Sequence, residues 1–210
     1  MSLLLDYEKL SSLPMMCTIA VCLAIGWGIV LEVSKKRICD YLPHTSWWKF
    51  ALEPMKGMMI NFGYPKRPTE KFPNAITDSM ACDSYTFLVT LCFQHFVSAL
   101  PMIPVLVCGW DDASDTVKSL FILGTLSDVG FDIYDSCKST FRAFANHPNP
   151  LPLDFWIILV AMHHSTALSL VLPMNQKYIH RTEYHQTAVS LLMAASLCYG
   201  AGKFCHLLQL

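Results

Sequence analysis

At 210 residues the chain has room for one ordinary domain or one compact membrane bundle. Hydrophobic residues make up 53% and charged residues 15%, with a formal net charge of -1 and a mean hydropathy of +0.39. Soluble domains carry about one quarter charged residues, so this composition excludes an ordinary water-exposed globule, and no basic patch suits nucleic acid.

In chain order, the stretch from Leu13 to Val33 holds only Glu32 as a charge, the length a hydrocarbon core requires. It begins after Asp6 and Glu8 and is followed by Lys35, Lys36 and Arg37, which fits a retained signal-anchor better than a cleaved signal peptide. A second apolar run, Tyr85 to Trp110, contains no Asp, Glu, Lys or Arg; Pro101 and Pro104 should kink its second half. A third begins near Thr116, apolar at first and acidic later, unless LGTLSDVG breaks it near Leu126. A fourth covers Leu153 to Leu172 and a fifth Gln186 to Leu208. The expected fold is an all-α, multi-pass transmembrane helix bundle of about five spans, roughly 13–33, 85–110, 116–145, 153–172 and 186–208, in a single integral membrane domain 1–210.

More than half of the 15 Lys and Arg residues lie between Lys35 and Lys71, which places the Pro-containing connection 34–84 on the positive, inside face. Asp111, Asp112 and Asp115 follow on the other side, and Lys138 and Arg142 return to the first. Within the connection, Trp47 to Ile60 mixes aromatic, Met and Lys residues, as an interfacial helix does, or else forms an irregular loop with belt aromatics. Lys35, Lys36, Arg37, Trp47, Trp48 and Lys49 are the candidate contacts to lipid head groups, anionic lipid such as cardiolipin included. The nine cysteines show no CxxC spacing and suit apolar packing rather than a disulfide framework.

Asp128, Asp132 and Asp135 stand at i, i+4 and i+7 and share one helical face, which Lys138 and Arg142 continue. Ionisable groups at membrane depth need a cavity or a partner, so these five are candidate binding residues, unless the helix ends early and they are wet. His163 and His164 follow, about ten residues into the fourth span. Neighbours on a helix point about 100° apart, so one imidazole can enter the bundle while the other meets a neighbour. Either could bind an anionic group or take up a proton with an aspartate as partner; a hydrogen-bonded core pair is the alternative. None of the eight histidines forms the HxxxH or HxxHH boxes of membrane di-iron enzymes, so no metal or other cofactor is expected.

GTLSDVGFDIYD, then a short connection, then LDFWIILVAMHHSTALSL resembles the TLC-domain family of multi-pass membrane proteins, to which the ceramide synthases belong. The likeness spans roughly Thr125 to Leu172 and rests on His163, His164, Thr166, Leu168 and Leu170. It implies a helix bundle around an acyl chain, with His163 or His164 as catalytic base in acyl transfer from acyl-CoA to an amine, assisted by Asp132 or Asp135. Where the synthases carry a second acidic block, this chain reads RTEYHQTAVSLLMAAS. The leading expectation is a non-catalytic, lipid-binding or structural accessory subunit of a larger membrane complex, in the mitochondrial inner membrane or the endoplasmic reticulum, with membrane lipids and other membrane subunits as partners. An acyltransferase and a transporter are the alternatives, the transporter disfavoured because spans one, two and five look too apolar to line a path.

Overall fold

The computed structural model describes residues 7–70, 76–145, 147 and 149–208, with side chains described as far as residue 197. Lys71, the end of the Pro-rich connection, and the side chains of Cys198, Cys205 and His206 lie outside the described residues. The described secondary structure is helical throughout. A short α1 (Tyr7–Leu10) precedes α2 (Leu13–Tyr41), a 3-10 turn (Leu42–His44) and α3 (Ser46–Asn61). Then come α4 (Asp78–Ala99), a 3-10 turn (Leu100–Met102) and α5 (Ile103–Cys108). The remainder is α6 (Asp115–Phe144), α7 (Leu153–Trp156), a π-helical segment (Ile157–His164), α8 (Ser165–Lys177) and α9 (Thr182–Leu208).

Among the described residues three helical stretches are long and apolar enough to cross a membrane: Leu13–His44, Asp78–Cys108 and Leu153–Lys177. They fit an integral membrane protein. The other two expected spans coincide with α6 and α9. At 30 residues α6 is long enough to cross, but Asp128, Asp132, Asp135, Lys118, Lys138 and Arg142 take it out of the apolar class. It does not break at LGTLSDVG: the helix continues through Asp128 to Phe144.

Local chemistry explains the boundaries. Pro101 has no N–H to donate, and the 3-10 turn forms at that proline, as the kink expected there requires. Gly109, with φ 78°, stops α5 in a conformation that favours glycine. The Thr45 hydroxyl caps α3 by accepting from the Trp48 N–H at 3.3 Å, so the segment read as interfacial helix or irregular loop is a helix. Its inward positions Trp48, Met55 and Met59 lie seven and four residues apart on one face.

α2 is apolar on both faces. Met16, Ala20 and Ala24 are buried, while Val21, Ile25, Ile29 and Val33, each four residues from the next, are exposed. In water that outer stripe would be an aggregation hazard; against lipid tails it carries no penalty.

The chain packs as two compact units. One comprises Met1–Trp27, Leu91–Ile133 and Thr166–Leu210. In it Leu10, Met16 and Ala20 pack on Ile122, Leu126 and Val129, and Trp110 meets Phe121, Tyr184 and Val189 in a second cluster. Asn175 links this unit's polar interior: its amide donates to Thr125 Oγ1 at 2.8 Å and accepts from Tyr184 OH at 2.7 Å. The other unit, Gly28–Thr90 and Tyr134–Ser165, has its core around Leu42, Trp48, Met55, Met59, Tyr64 and Met80.

Candidate functional site

The two histidines close the π-helical segment Ile157–His164. In a π-helix the hydrogen bonds run from i to i+5 and the turn is wider than in an α-helix. The Ser165 hydroxyl follows the same spacing, donating to the Val160 carbonyl at 2.9 Å. Val160 and His164 point inward; Ile158, Met162 and His163 point outward. The two imidazole centroids are 5.4 Å apart and the rings are inclined by 51°.

His164 is 3% exposed and Asp135 2%. His164 Nε2 stands 3.7 Å from Asp135 Oδ2, near enough for charge attraction and too far for a hydrogen bond. Its Nδ1 meets Ser136 Oγ at 3.0 Å, and Ser139 Oγ donates to Asp135 Oδ1 at 3.3 Å. Asp135 Oδ2 has no hydrogen-bond partner among the described residues. Thus one histidine and one aspartate of the expected set meet; His163 faces outward, away from this cluster.

Asp128 and Asp132 belong to the first unit. Asp132 is buried. Asp128 Oδ1 lies 3.2 Å from His95 Nδ1 and accepts from Gln94 Nε2 at 3.4 Å. Gln94 also donates to Ser98 Oγ at 2.9 Å, Ser98 to Ser127 Oγ at 2.8 Å, and Trp27 Nε1 to Ser127 Oγ at 3.0 Å. The His95–Asp128 approach is within ion-pair distance, yet its angle is not that of a hydrogen bond.

Sequence reading missed the α4 half of this network, because it counted charges and α4 offers neutral groups. The signal was present: Thr86, Thr90, Gln94 and Ser98 recur every four residues, and all are buried. The expectation that span two is too apolar to form a polar wall is therefore corrected, since from it Gln94 and His95 face Asp128 and Ser98 bonds to Ser127.

The basic candidates are already committed. Lys138 pairs with Glu32, and both contact Tyr134 OH. Arg142 donates to Tyr64 OH at 3.0 Å and to the Asn149 carbonyl at 3.1 Å, tying α6 to the connection that follows it. Of the expected head-group contacts, Lys36, Arg37 and Lys49 are exposed. Lys35 pairs with Asp83 at 3.1 Å. Trp48, 4% exposed, belongs to the core, where it packs with Trp47 around Tyr85.

Among the described residues no group of three or more His, Cys, Asp and Glu side chains is arranged to hold a metal ion. The class these observations define is an all-helical protein with three membrane-length apolar stretches and buried polar clusters. No family model, curated protein or solved structure matches the chain.

Proposed function

We propose that this chain is a non-catalytic integral membrane protein with five crossings, the three apolar stretches together with α6 and α9. It serves as a lipid-binding and structural accessory subunit of a larger assembly, in the mitochondrial inner membrane or the endoplasmic reticulum. The observation that carries this reading is the closure of the histidine–aspartate pair: His164 and Asp135 are 3% and 2% exposed and held by Ser136 and Ser139. An acyl thioester has to reach a catalytic imidazole, whereas a sealed pair of this kind joins helices. The exposed Lys36, Arg37 and Lys49 supply the complementary charge for anionic lipid.

Detergent-purified protein is expected to retain anionic phospholipid in native mass spectrometry, to lose it when Lys36, Arg37 and Lys49 are changed to Glu, and to form no product from acyl-CoA and a long-chain amine. Product formation that disappears in His164→Ala would contradict the reading.

A second reading, acyl transfer on a TLC-like bundle, is favoured by one detail: Asp135 Oδ2 has no hydrogen-bond partner among the described residues, 3.7 Å from His164 Nε2. A small approach would make it the carboxylate that orients a basic imidazole. The same turnover assay separates the two.

A further inference from the structure

Cys39, near the end of α2, and Cys82, one turn into α4, come together in the unit built on Gly28–Thr90 and Tyr134–Ser165. Cys39 Sγ meets Thr86 Oγ1 at 3.5 Å and donates to Asp83 Oδ1 at 3.6 Å. The same Thr86 hydroxyl donates to the Cys82 carbonyl at 2.9 Å, and the two thiols are themselves in hydrogen-bonding contact. Cys39 is thereby held against the turn of α4 that carries Cys82. Their surroundings differ. Cys82 is 3% exposed and packs in the core beside Met80 and Ala81, whereas Cys39 is half-buried at the edge of that core. Lys35, one turn before Cys39, pairs with Asp83 at 3.1 Å, so charged groups border the Cys39 side. Apolar packing accounts for a thiol as buried as Cys82; it does not account for a half-buried thiol turned onto its neighbour through two polar contacts.

We propose that Cys39 and Cys82 form a reversible disulfide site, in which Cys39 reacts first with glutathione disulfide and Cys82 resolves the mixed disulfide. The reaction is thiol–disulfide exchange. The Cys39 sulfur attacks one sulfur of glutathione disulfide, forming a Cys39–glutathione bond and releasing one glutathione thiolate. The Cys82 sulfur then attacks Cys39 Sγ, forming the Cys39–Cys82 bond and releasing the second. The two cysteines are oxidised, one glutathione disulfide is reduced, and the two thiol protons end on the two glutathiones released. Exposure sets the order: a reagent reaches the half-buried Cys39, while the core-packed Cys82 needs only to meet its neighbour. In a compartment that keeps thiols reduced the dithiol is the resting form. When the glutathione pool turns oxidising, the bond straps the end of α2 to the start of α4. This site stands independently of the accessory-subunit reading.

The full chain, purified in mild detergent, reduced, and then treated with glutathione disulfide, is expected to yield peptides joined through Cys39 and Cys82 in non-reducing mass spectrometry, and to lose the link on addition of dithiothreitol. Cys82→Ser should accumulate glutathione on Cys39 about tenfold or more above wild type, because nothing resolves it. Cys39→Ser should leave Cys82 as the free thiol. That asymmetry separates an attacking and a resolving cysteine from two thiols that only pack together. Should Cys82→Ser fall short of wild-type helical content by circular dichroism, the wild-type link and the Cys39→Ser result carry the test. Glutathione retained on wild-type Cys39, either cysteine joined instead to a different one, both thiols free after treatment, or glutathione on Cys82 in Cys39→Ser would overturn the proposal.

Discussion

His164 and Asp135 face each other at 3.7 Å, one from a π-helical segment and one from α6, both closed off from the surroundings. Removing one member of such a pair leaves the other buried without its neighbour, which costs more than removing both. His164→Ala should destabilise the protein by about 2–4 kcal/mol, and adding Asp135→Asn should recover part of that loss, with a coupling of about 1–3 kcal/mol. Thermal midpoints of the two single variants and the double variant in one detergent test this. Strict additivity would show that the two side chains do not act on each other.

Gly130 of α6 sits where a Cβ would come within 2.7 Å of Leu23 Cβ and 2.9 Å of the Ala20 carbonyl oxygen and the Ala24 nitrogen. The backbones of α2 and α6 meet there because both present small residues, as helices in membranes do. Gly130→Leu should cost about 2–3 kcal/mol or more through overpacking. Gly26→Ala, with nothing within 4 Å of the added carbon, should be neutral or stabilise by about 0.5–1 kcal/mol. Equal effects of the two substitutions on the thermal midpoint would argue against a close approach at Gly130.

The bridge from Tyr184 OH through Asn175 to Thr125 gives a third test. Tyr184→Phe leaves the buried Asn175 Oδ1 without this donor and should cost about 1–3 kcal/mol. Thr187→Val nearby, which removes an exposed hydroxyl bonded only to its own helix, should fall within about 0.5 kcal/mol of wild type.

Much of this was legible in the sequence because hydrophobic run length reports directly on helix position. The three apolar stretches follow from it, and the turn at Leu100–Met102 from Pro101; the sequence leaves open the continuity of α6 past Leu126, just before Asp128, Asp132 and Asp135. The π-helical segment was not legible: IILVAMHH carries no side-chain pattern that distinguishes i to i+5 from i to i+4 winding. The division of the histidines into one buried and one exposed was legible, because adjacent residues on a helix point about 100° apart. The Asp128 cluster was half legible. Its carboxylate stood out as a charge, while Gln94, His95 and Ser98 lowered the hydropathy of α4 too little to interrupt its apolar run. The expected roles of Lys138 and Arg142 could not anticipate Glu32 and Tyr64, which lie 106 and 78 residues away along the chain, respectively, and meet them only through folding.

Tyr64 supplies a prediction in alkaline solution. Burial is the main cause that raises its phenol above the ordinary value of 10.0, while the Arg142 guanidinium partly opposes the rise. The folded state therefore holds this proton more tightly than the unfolded state. The stabilisation is whole below about pH 10 and is lost as pH climbs through the raised value. The difference in phenolate absorbance between wild type and Tyr64→Phe should show a late-ionising tyrosine, and Arg142→Met should delay it further. Ionisation of Tyr64 at or below the ordinary value would contradict its burial.

The proposal depends most on α6 crossing the membrane with its aspartates turned toward polar partners. Single cysteines at Lys36, Asp112 and Ala145, in a chain whose exposed native cysteines are replaced by serine, can be labelled in sealed vesicles with a membrane-impermeant maleimide. The account predicts that Lys36→Cys and Ala145→Cys react from one side and Asp112→Cys from the other. Labelling of Asp112→Cys and Ala145→Cys from the same side would mean that α6 does not cross.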